Sequence, residues 1–119
     1  MKKILSIIIG LLLIATVSWA GPNKSIGNTA DAAITASSGF LDGLIIHTDG
    51  TNSVTVAVYD NATAASGSKL LSTFTVTTSA SNRTTTLSFN DFECLFFNGI
   101  YVDITTAGSV TYDVYFYTL

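Results

Sequence analysis

After residue 21, the apolar residues of the chain recur at every second position rather than at every third or fourth. The clearest case is segment 53–60, where Val54, Val56 and Val58 alternate with polar or small residues. Successive side chains of a β-strand point to opposite faces, so this period predicts strands with one buried face. No window after residue 21 carries the i, i+3, i+4, i+7 spacing of an amphipathic helix. The pattern therefore predicts an all-β domain.

About eight segments carry strand patterns, separated by residues typical of turns. They are 30–36, 40–48, 53–60, 69–77, 83–89, 92–97, 100–105 and 110–119. Short strands at regular spacing favour a small antiparallel β-sandwich, jelly-roll-like in its number of strands. Within the second segment, Asp42-Gly43 predicts a bulge or bend. Asn98-Gly99 lies between two apolar runs and predicts a tight hairpin, because both of its turn positions tolerate positive φ.

The N-terminus has the three parts of a secretory signal peptide. Lys2-Lys3 supplies positive charge, 4–17 is an apolar run, and Ser18 and Ala20 are small residues at the third and first positions before Gly21. The alternative is an uncleaved membrane anchor, but about 14–17 helical residues would span only about 21–26 Å of a ~30 Å hydrocarbon core. We therefore predict cleavage between Ala20 and Gly21, with no stable membrane insertion afterwards.

The rest of the chain suits one domain. Removal of residues 1–20 leaves 99 of the 119 residues, with three basic and eight acidic side chains and a net charge of −5. Residues 21–29 are rich in Gly, Asn and Ser, so we expect a flexible lead-in before a β-sandwich domain over 30–119. Binding to phosphate groups needs clustered Lys and Arg, which excludes nucleic acid as a predicted partner. The predicted location is secreted or cell-surface, either periplasmic or extracellular.

The sequence lacks the residues of the common catalytic and metal sites. His47 is its only histidine and Glu93 its only glutamate, and the motif G-x-S-x-G is absent. The segment 49–52 (Asp-Gly-Thr-Asn) faintly resembles a calcium loop, but it lacks the regular oxygen ligands and the distal Glu, and it is predicted to be a turn. We therefore predict no catalytic residue, no metal and no cofactor.

Cys94 is the only cysteine, so an intrachain disulfide is impossible. It lies in the run Phe92-Glu93-Cys94-Leu95-Phe96-Phe97, and an apolar setting raises the pKa of a thiol and makes it unreactive. We expect a buried or half-buried packing role. An intermolecular disulfide is the alternative.

The last strand is apolar or aromatic on both faces. Tyr112, Val114 and Phe116 alternate with Tyr115, Tyr117 and Leu119 along 110–119. One face is expected to be core. The other is either a second core layer or a contact surface for protein or glycan, because tyrosine combines apolar area with a hydroxyl that tolerates water. Tyr115, Tyr117 and Leu119 are the candidate interface residues.

Three segments resemble a known group of proteins. They are Val58-Tyr59-Asp60-Asn61-Ala62-Thr63-Ala64-Ala65-Ser66-Gly67, Phe97-Asn98-Gly99-Ile100-Tyr101-Val102-Asp103-Ile104 and Val110-Thr111-Tyr112. The resemblance is to small single-domain β-sandwich proteins of bacteriophage and prophage virion gene clusters, and it covers about Phe40–Phe116. It implies a structural or capsid-surface role without catalysis or cofactor. An exported surface or filament subunit built on a related module accommodates both this resemblance and the signal peptide.

The expected function is a secreted, non-catalytic structural or assembly module, forming a homo-oligomeric surface, filament or virion-like subunit. The alternative is an extracellular β-sandwich module that binds a glycan or another surface protein. A self-associating subunit should form a defined oligomer without ligand, whereas a glycan binder should stay monomeric and be retained by a polysaccharide.

Overall fold

The computed structural model describes residues 23–89 and 94–119. These residues form nine strands and no helix, which confirms the predicted all-β class. The strands are β1 (Asn23–Asn28), β2 (Ala32–Thr35), β3 (Gly39–Thr48), β4 (Val54–Tyr59), β5 (Lys69–Val76), β6 (Thr84–Ser88), β7 (Leu95–Phe96), β8 (Ile100–Thr106) and β9 (Val110–Thr118). The predicted signal peptide, with its cleavage site between Ala20 and Gly21, lies outside the described residues.

The strands form two antiparallel sheets, an arrangement consistent with a β-sandwich. Sheet A has the order β1-β9-β3-β6, with β7 also paired to β3, and sheet B has the order β2-β8-β4-β5. Within these orders, early strands pair with late ones: β1 with β9, β2 with β8, β3 with β6 and β4 with β5. The chain is therefore a long antiparallel ribbon whose two arms are rolled together.

One hydrophobic core fills the space between the sheets. Side chains from both sheets contribute to it, and its most deeply buried members include Leu44, Ile46, Tyr112, Val114, Val54, Val56, Val58, Ile100 and Val102, each at most 1% exposed. These are the period-two positions of β3, β4, β8 and β9. Burial of their apolar surface is the main term that stabilises the fold.

The bulge predicted at Asp42-Gly43 is present in β3. The register of β3 against β9 shifts between Leu41 and Gly43. The shift has a packing consequence, because Leu41 and Leu44 are three residues apart and strict alternation would place them on opposite faces. With one extra residue absorbed by the bulge, both leucines are buried in the core.

Residues 23–28 correct the expectation of a flexible lead-in over 21–29. They form β1, which pairs with β9 through Asn23 opposite Phe116 and Lys24 opposite Tyr115. Nothing in the apolar pattern predicts this strand, because backbone pairing and polar side chains, not apolar ones, dock it on the edge of β9. The folded domain therefore includes residues before 30, and the ninth strand beyond the predicted eight is β1.

The hairpin predicted at Asn98-Gly99 is wrong. β7 pairs with β3 in sheet A, whereas β8 lies between β2 and β4 in sheet B, so the turn carries the chain across the sandwich. The Asp60 carboxylate fixes this crossover by accepting hydrogen bonds from the backbone N–H groups of Phe97 and Asn98, at 3.0 and 2.7 Å. Gly99 has φ +137°, and a Cβ there would overlap the carbonyl oxygen of Thr35. These tertiary contacts outweigh the local turn preference.

Candidate functional site

The outer face of sheet A carries apolar side chains at one end. Leu95 of β7 lies opposite Phe40 of β3, and Phe40 lies opposite Tyr117 of β9. Tyr115 shares the outer face of β9 with Tyr117, and Leu119 follows two residues later. We call these five residues the aromatic patch. Leu95 is 38%, Tyr117 36% and Leu119 80% exposed, while Phe40 and Tyr115 are half-buried.

Two glycines of β3 shape the sheet beneath this patch. Gly43 lies opposite Tyr115, so no side chain of β3 covers the tyrosine ring at that position. A Cβ at Gly39 would overlap the carbonyl oxygen of Tyr117, so only glycine permits the observed approach of β3 to β9. Beneath the patch, the backbones of β3 and β9 therefore lie close together.

The structure divides the two faces of β9 as the alternation predicts. Tyr112 and Val114 are fully buried and Phe116 is 6% exposed, which makes this the core face. Tyr117 and Leu119, on the other face, remain open to solvent. β9 also lies between β1 and β3, so it is an inner strand of sheet A and its backbone offers no free edge for a neighbouring chain. With β1 in place, a contact through β9 therefore uses its outer side chains.

A second pair of tyrosines lies on the outer face of sheet B. Tyr59 of β4 is directly opposite Tyr101 of β8, and both are half-buried. The ammonium group of Lys69 lies 5.7 Å from the centre of the Tyr59 ring, within the range of a cation–π contact. We call Tyr59 and Tyr101 the tyrosine pair. It provides a smaller aromatic surface on the side of the molecule opposite the aromatic patch.

Cys94 is buried, as predicted. It is 8% exposed, and its thiol lies 3.7 Å from the carbonyl oxygen of Leu70. Burial raises the pKa of the thiol, which keeps it protonated and poorly nucleophilic.

The structure keeps Cys94 and the single histidine apart. The carbonyl of Cys94 accepts a hydrogen bond from Leu41, whereas His47 is six residues further along β3, a separation of roughly 20 Å for an extended strand. The exposed His47 ring instead contacts the Thr84 hydroxyl through Nδ1 at 3.0 Å. The arrangement assembles no Cys–His pair.

The segment 49–52 is a turn, as predicted. Asp49 Oδ1 accepts the backbone N–H groups of Thr51 and Asn52, each at 2.8 Å, while Oδ2 accepts Asn52 Nδ2 at 2.9 Å and the Ser109 N–H at 3.2 Å. These bonds hold the pKa of the Asp49 carboxyl well below its usual range. Both carboxylate oxygens therefore accept hydrogen bonds that hold the loop in its conformation. Among residues 23–89 and 94–119, no group of three or more His, Cys, Asp or Glu side chains is placed to hold a metal ion.

An open cleft of about 650 Å³ lies where the β1–β2 connection meets the ends of β8 and β9. Four of its nine lining residues are threonine or serine, and Asp31 is the single ionisable side chain among them. Asp31 Oδ1 accepts the Ile104 N–H at 2.8 Å, so this carboxylate supports the local backbone. The cleft contains no nucleophile paired with a base.

Comparisons with protein-family models, curated proteins and solved structures give no match to this chain. In the described part of the chain there is also no helix of the length and apolar character needed to cross a bilayer. The candidate site therefore depends on geometry alone. Sequence reasoning identified Tyr115, Tyr117 and Leu119 but missed Phe40 and Leu95, because only the strand pairing brings them beside Tyr117.

Proposed function

We propose that this chain is a secreted, non-catalytic structural module that self-associates through the aromatic patch, as a subunit of a surface, filament or virion-like assembly. The observation that carries the proposal is the patch itself, five large apolar side chains on the outside of one sheet. Contiguous apolar patches of more than roughly a few hundred Å² on a soluble protein mark contact sites, and tyrosine is enriched at such contacts. Lys24 and Asp113 border the patch beside Tyr115. A second copy offers the same apolar side chains together with charges of both signs, so the partner we propose is the same surface of another copy.

The strand order supports a jelly-roll form of the sandwich. A ribbon whose arms pair β1 with β9, β2 with β8, β3 with β6 and β4 with β5 is the two-Greek-key arrangement of that fold. The ribbon is divided over two layers, and the short strand β7 is added to the first of them, against β3. Capsid and lectin domains are among the proteins built this way. Because one fold hosts many functions, this likeness is an analogy. A jelly-roll form is compatible with the resemblance to phage and prophage virion proteins. It is also compatible with self-association and with binding of a glycan or another protein.

The test compares two matched double variants. Tyr115→Ser with Tyr117→Ser removes two rings from the aromatic patch, and Tyr59→Ser with Tyr101→Ser makes the same chemical change on sheet B. Interface aromatics contribute about 2 kcal/mol or more each, so we expect the first variant to raise the concentration needed for assembly by at least about tenfold. Light scattering and negative-stain microscopy measure the assembly. The melting temperature is recorded on the same samples.

The control variant on sheet B should assemble as the unsubstituted chain does. Equal loss of assembly in both variants would show that the effect is a general loss of folding rather than of a contact. An unsubstituted chain that stays monomeric at every concentration would contradict self-association. If the patch variant melts far below the control yet keeps its oligomeric mass, the two tyrosines serve stability instead.

Export is tested independently. We expect the exported fraction to contain a chain that starts at Gly21, because Ser18 and Ala20 supply the small residues read by a signal peptidase. Intact-mass measurement identifies this terminus. A full-length chain that fractionates with membranes would show an anchor and overturn the secreted location.

The second candidate function is glycan or protein binding at the tyrosine pair. The observation that favours it is the placement of two adjacent rings beside Lys69 on an otherwise small and hydroxyl-rich outer face of sheet B. Affinity electrophoresis in gels containing neutral polysaccharides tests it. Retardation abolished by Tyr59→Ser with Tyr101→Ser, and unaffected by the patch variant, would establish this function in place of the first.

A further inference from the structure

β1 is the one strand in the described part of the chain that gives no apolar side chain to the core. Its six residues are exposed or half-buried, and Ile26 is 59% exposed although it is β-branched and lies in a strand. Each of the other eight strands contributes at least one buried or core-packed apolar residue. Detachment of β1 would therefore expose little core side-chain surface of its own.

Backbone pairing and polar contacts hold β1 in place. Asn23 Nδ2 donates to the Thr118 hydroxyl at 3.1 Å, and the Gly27 N–H donates to Asp113 Oδ1 at 2.8 Å. The register against β9 is interrupted between Ser25 and Asn28, so the ladder is not continuous. Such bonds are readily exchanged for water, and edge segments held this way open at low free energy.

The connection after β1 is anchored to the body of the domain. The Ala30 carbonyl accepts the hydroxyl of buried Tyr112 at 2.7 Å, and Asp31 Oδ1 accepts the Ile104 N–H at 2.8 Å. Both anchors follow β1 in sequence, so β1 can leave while β2 stays in sheet B. Thr29 is the one residue between β1 and the Ala30 anchor, so the backbone changes direction there. Gly27, with φ +72°, lies within β1 at the interruption of its register.

We propose that β1 is exchanged between copies, so that in the assembled protein β1 of one copy pairs with β9 of the next. When β1 leaves, the edge of β9 exposes unpaired backbone groups. The segment that fits this edge is β1 itself, because Asn23 bonds to Thr118 and Gly27 bonds to Asp113. A second copy supplies that sequence with identical contacts, which is the usual basis of strand exchange. Lys24 lies directly opposite Tyr115 of the aromatic patch, so contact through the patch brings the β1 strands of two copies near each other. The inference rests on the proposed self-association for the assembled state.

The test mixes two exported chains that each carry one added cysteine. One carries Asn23→Cys and the other Thr118→Cys, two exposed positions whose side chains touch. After mixing, a short thiol–thiol cross-linker joins them only where β1 of the first chain lies on β9 of the second. We expect cross-linking about a hundredfold faster than by collision, because docked thiols experience a millimolar effective concentration rather than about 10 μM in solution.

Two controls accompany this mixture. Thr84→Cys replaces Thr118→Cys in a second mixture, since Thr84 lies on β6 at the opposite edge of sheet A. The unsubstituted chain reports any contribution from buried Cys94. Cross-linking that is no faster with Thr118→Cys than with Thr84→Cys would overturn the exchange.

A doubly substituted chain separates the exchange from the proposed function. With Asn23→Cys and Thr118→Cys in one molecule, intrachain cross-linking locks β1 to its own β9. Loss of assembly on locking, with assembly retained in the uncross-linked sample, supports exchange. If locked chains still assemble and mixed chains do not cross-link, exchange is wrong while self-association through the patch stands. If no sample assembles or cross-links between chains, both are wrong.

Discussion

Replacement of Tyr112 by Phe tests the contact that joins β9 to the β1–β2 connection. The ring of Tyr112 is fully buried, and its hydroxyl donates to the Ala30 carbonyl at 2.7 Å. Phe keeps the ring and removes only this donor. A neutral hydrogen bond contributes about 0.5–1.5 kcal/mol net, and the exposed position of Ala30 lets water replace part of it, so we expect a loss of about 1 kcal/mol.

For a domain of this size, about 1 kcal/mol lowers the melting temperature by about 4–8 °C. Calorimetry or circular dichroism at neutral pH measures the shift. Tyr115→Phe is the matched control, because its hydroxyl lies on the outer face of the same strand, and surface changes of this kind usually stay within about 0.5 kcal/mol. Equal melting of Tyr112→Phe and the unsubstituted chain would refute the role given to this hydrogen bond.

The Tyr112→Phe variant should also change how the stability of the fold depends on pH. Burial, and then the negative charge of Asp31, raise the pKa of Tyr112. As the pH rises, the tyrosine ionises in the unfolded chain first, near its ordinary pKa of about 10, and in the folded chain only at higher pH. The protonated Tyr112 hydroxyl therefore contributes fully to the stability of the fold below about pH 10, and this contribution declines as the pH rises further. Tyr112→Phe should therefore show a shallower alkaline loss of stability than the unsubstituted chain. Identical alkaline profiles would contradict this assignment.

Three further predictions concern other positions. Gly39→Ala should destabilise the fold by about 1–3 kcal/mol, because the added methyl group overlaps the backbone of β9; a normal melting temperature would contradict the packing described. Cys94 should react with a thiol reagent slowly in the native protein and fully after denaturation, whereas native labelling at the rate of free cysteine would refute burial. Asp49 has a lowered pKa, so its stabilising contribution is present above about pH 4 and is lost as the pH falls below that value. Asp49→Asn should remove this part of the acid dependence in a melting series.

The apolar pattern predicted every strand whose side chains enter the core. Val54, Val56 and Val58 are buried as the alternation requires, and the paired residues Asp42-Gly43 mark the bulge in β3. Such features are local, because alternation with period two and an Asp-Gly pair each determine the conformation of only a few neighbouring residues. The buried face of β9 was predicted for the same reason.

The strand β1 and the crossover at Asn98-Gly99 were not predictable in this way. β1 lacks an apolar period because backbone hydrogen bonds and polar side chains hold it on the edge of β9. Asn98-Gly99 has a hairpin sequence. The backbone N–H groups of Phe97 and Asn98, however, donate hydrogen bonds to Asp60, distant in sequence, and these direct the chain to the other sheet. In both cases the deciding partner lies far away along the chain.

The sequence by itself predicted the all-β class, a packing role for Cys94 and a core position for one face of β9. It left open whether the face with Tyr115 and Tyr117 is a second core layer or a contact surface. Only the tertiary structure decided that β9 is an inner strand and that Phe40 and Leu95 lie beside Tyr117. The physical reason is that alternation assigns a side chain to a face, whereas strand pairing assigns it its neighbours. Pairing depends on the register of the whole ribbon, so a surface assembled from three strands appears only when the ribbon has rolled up.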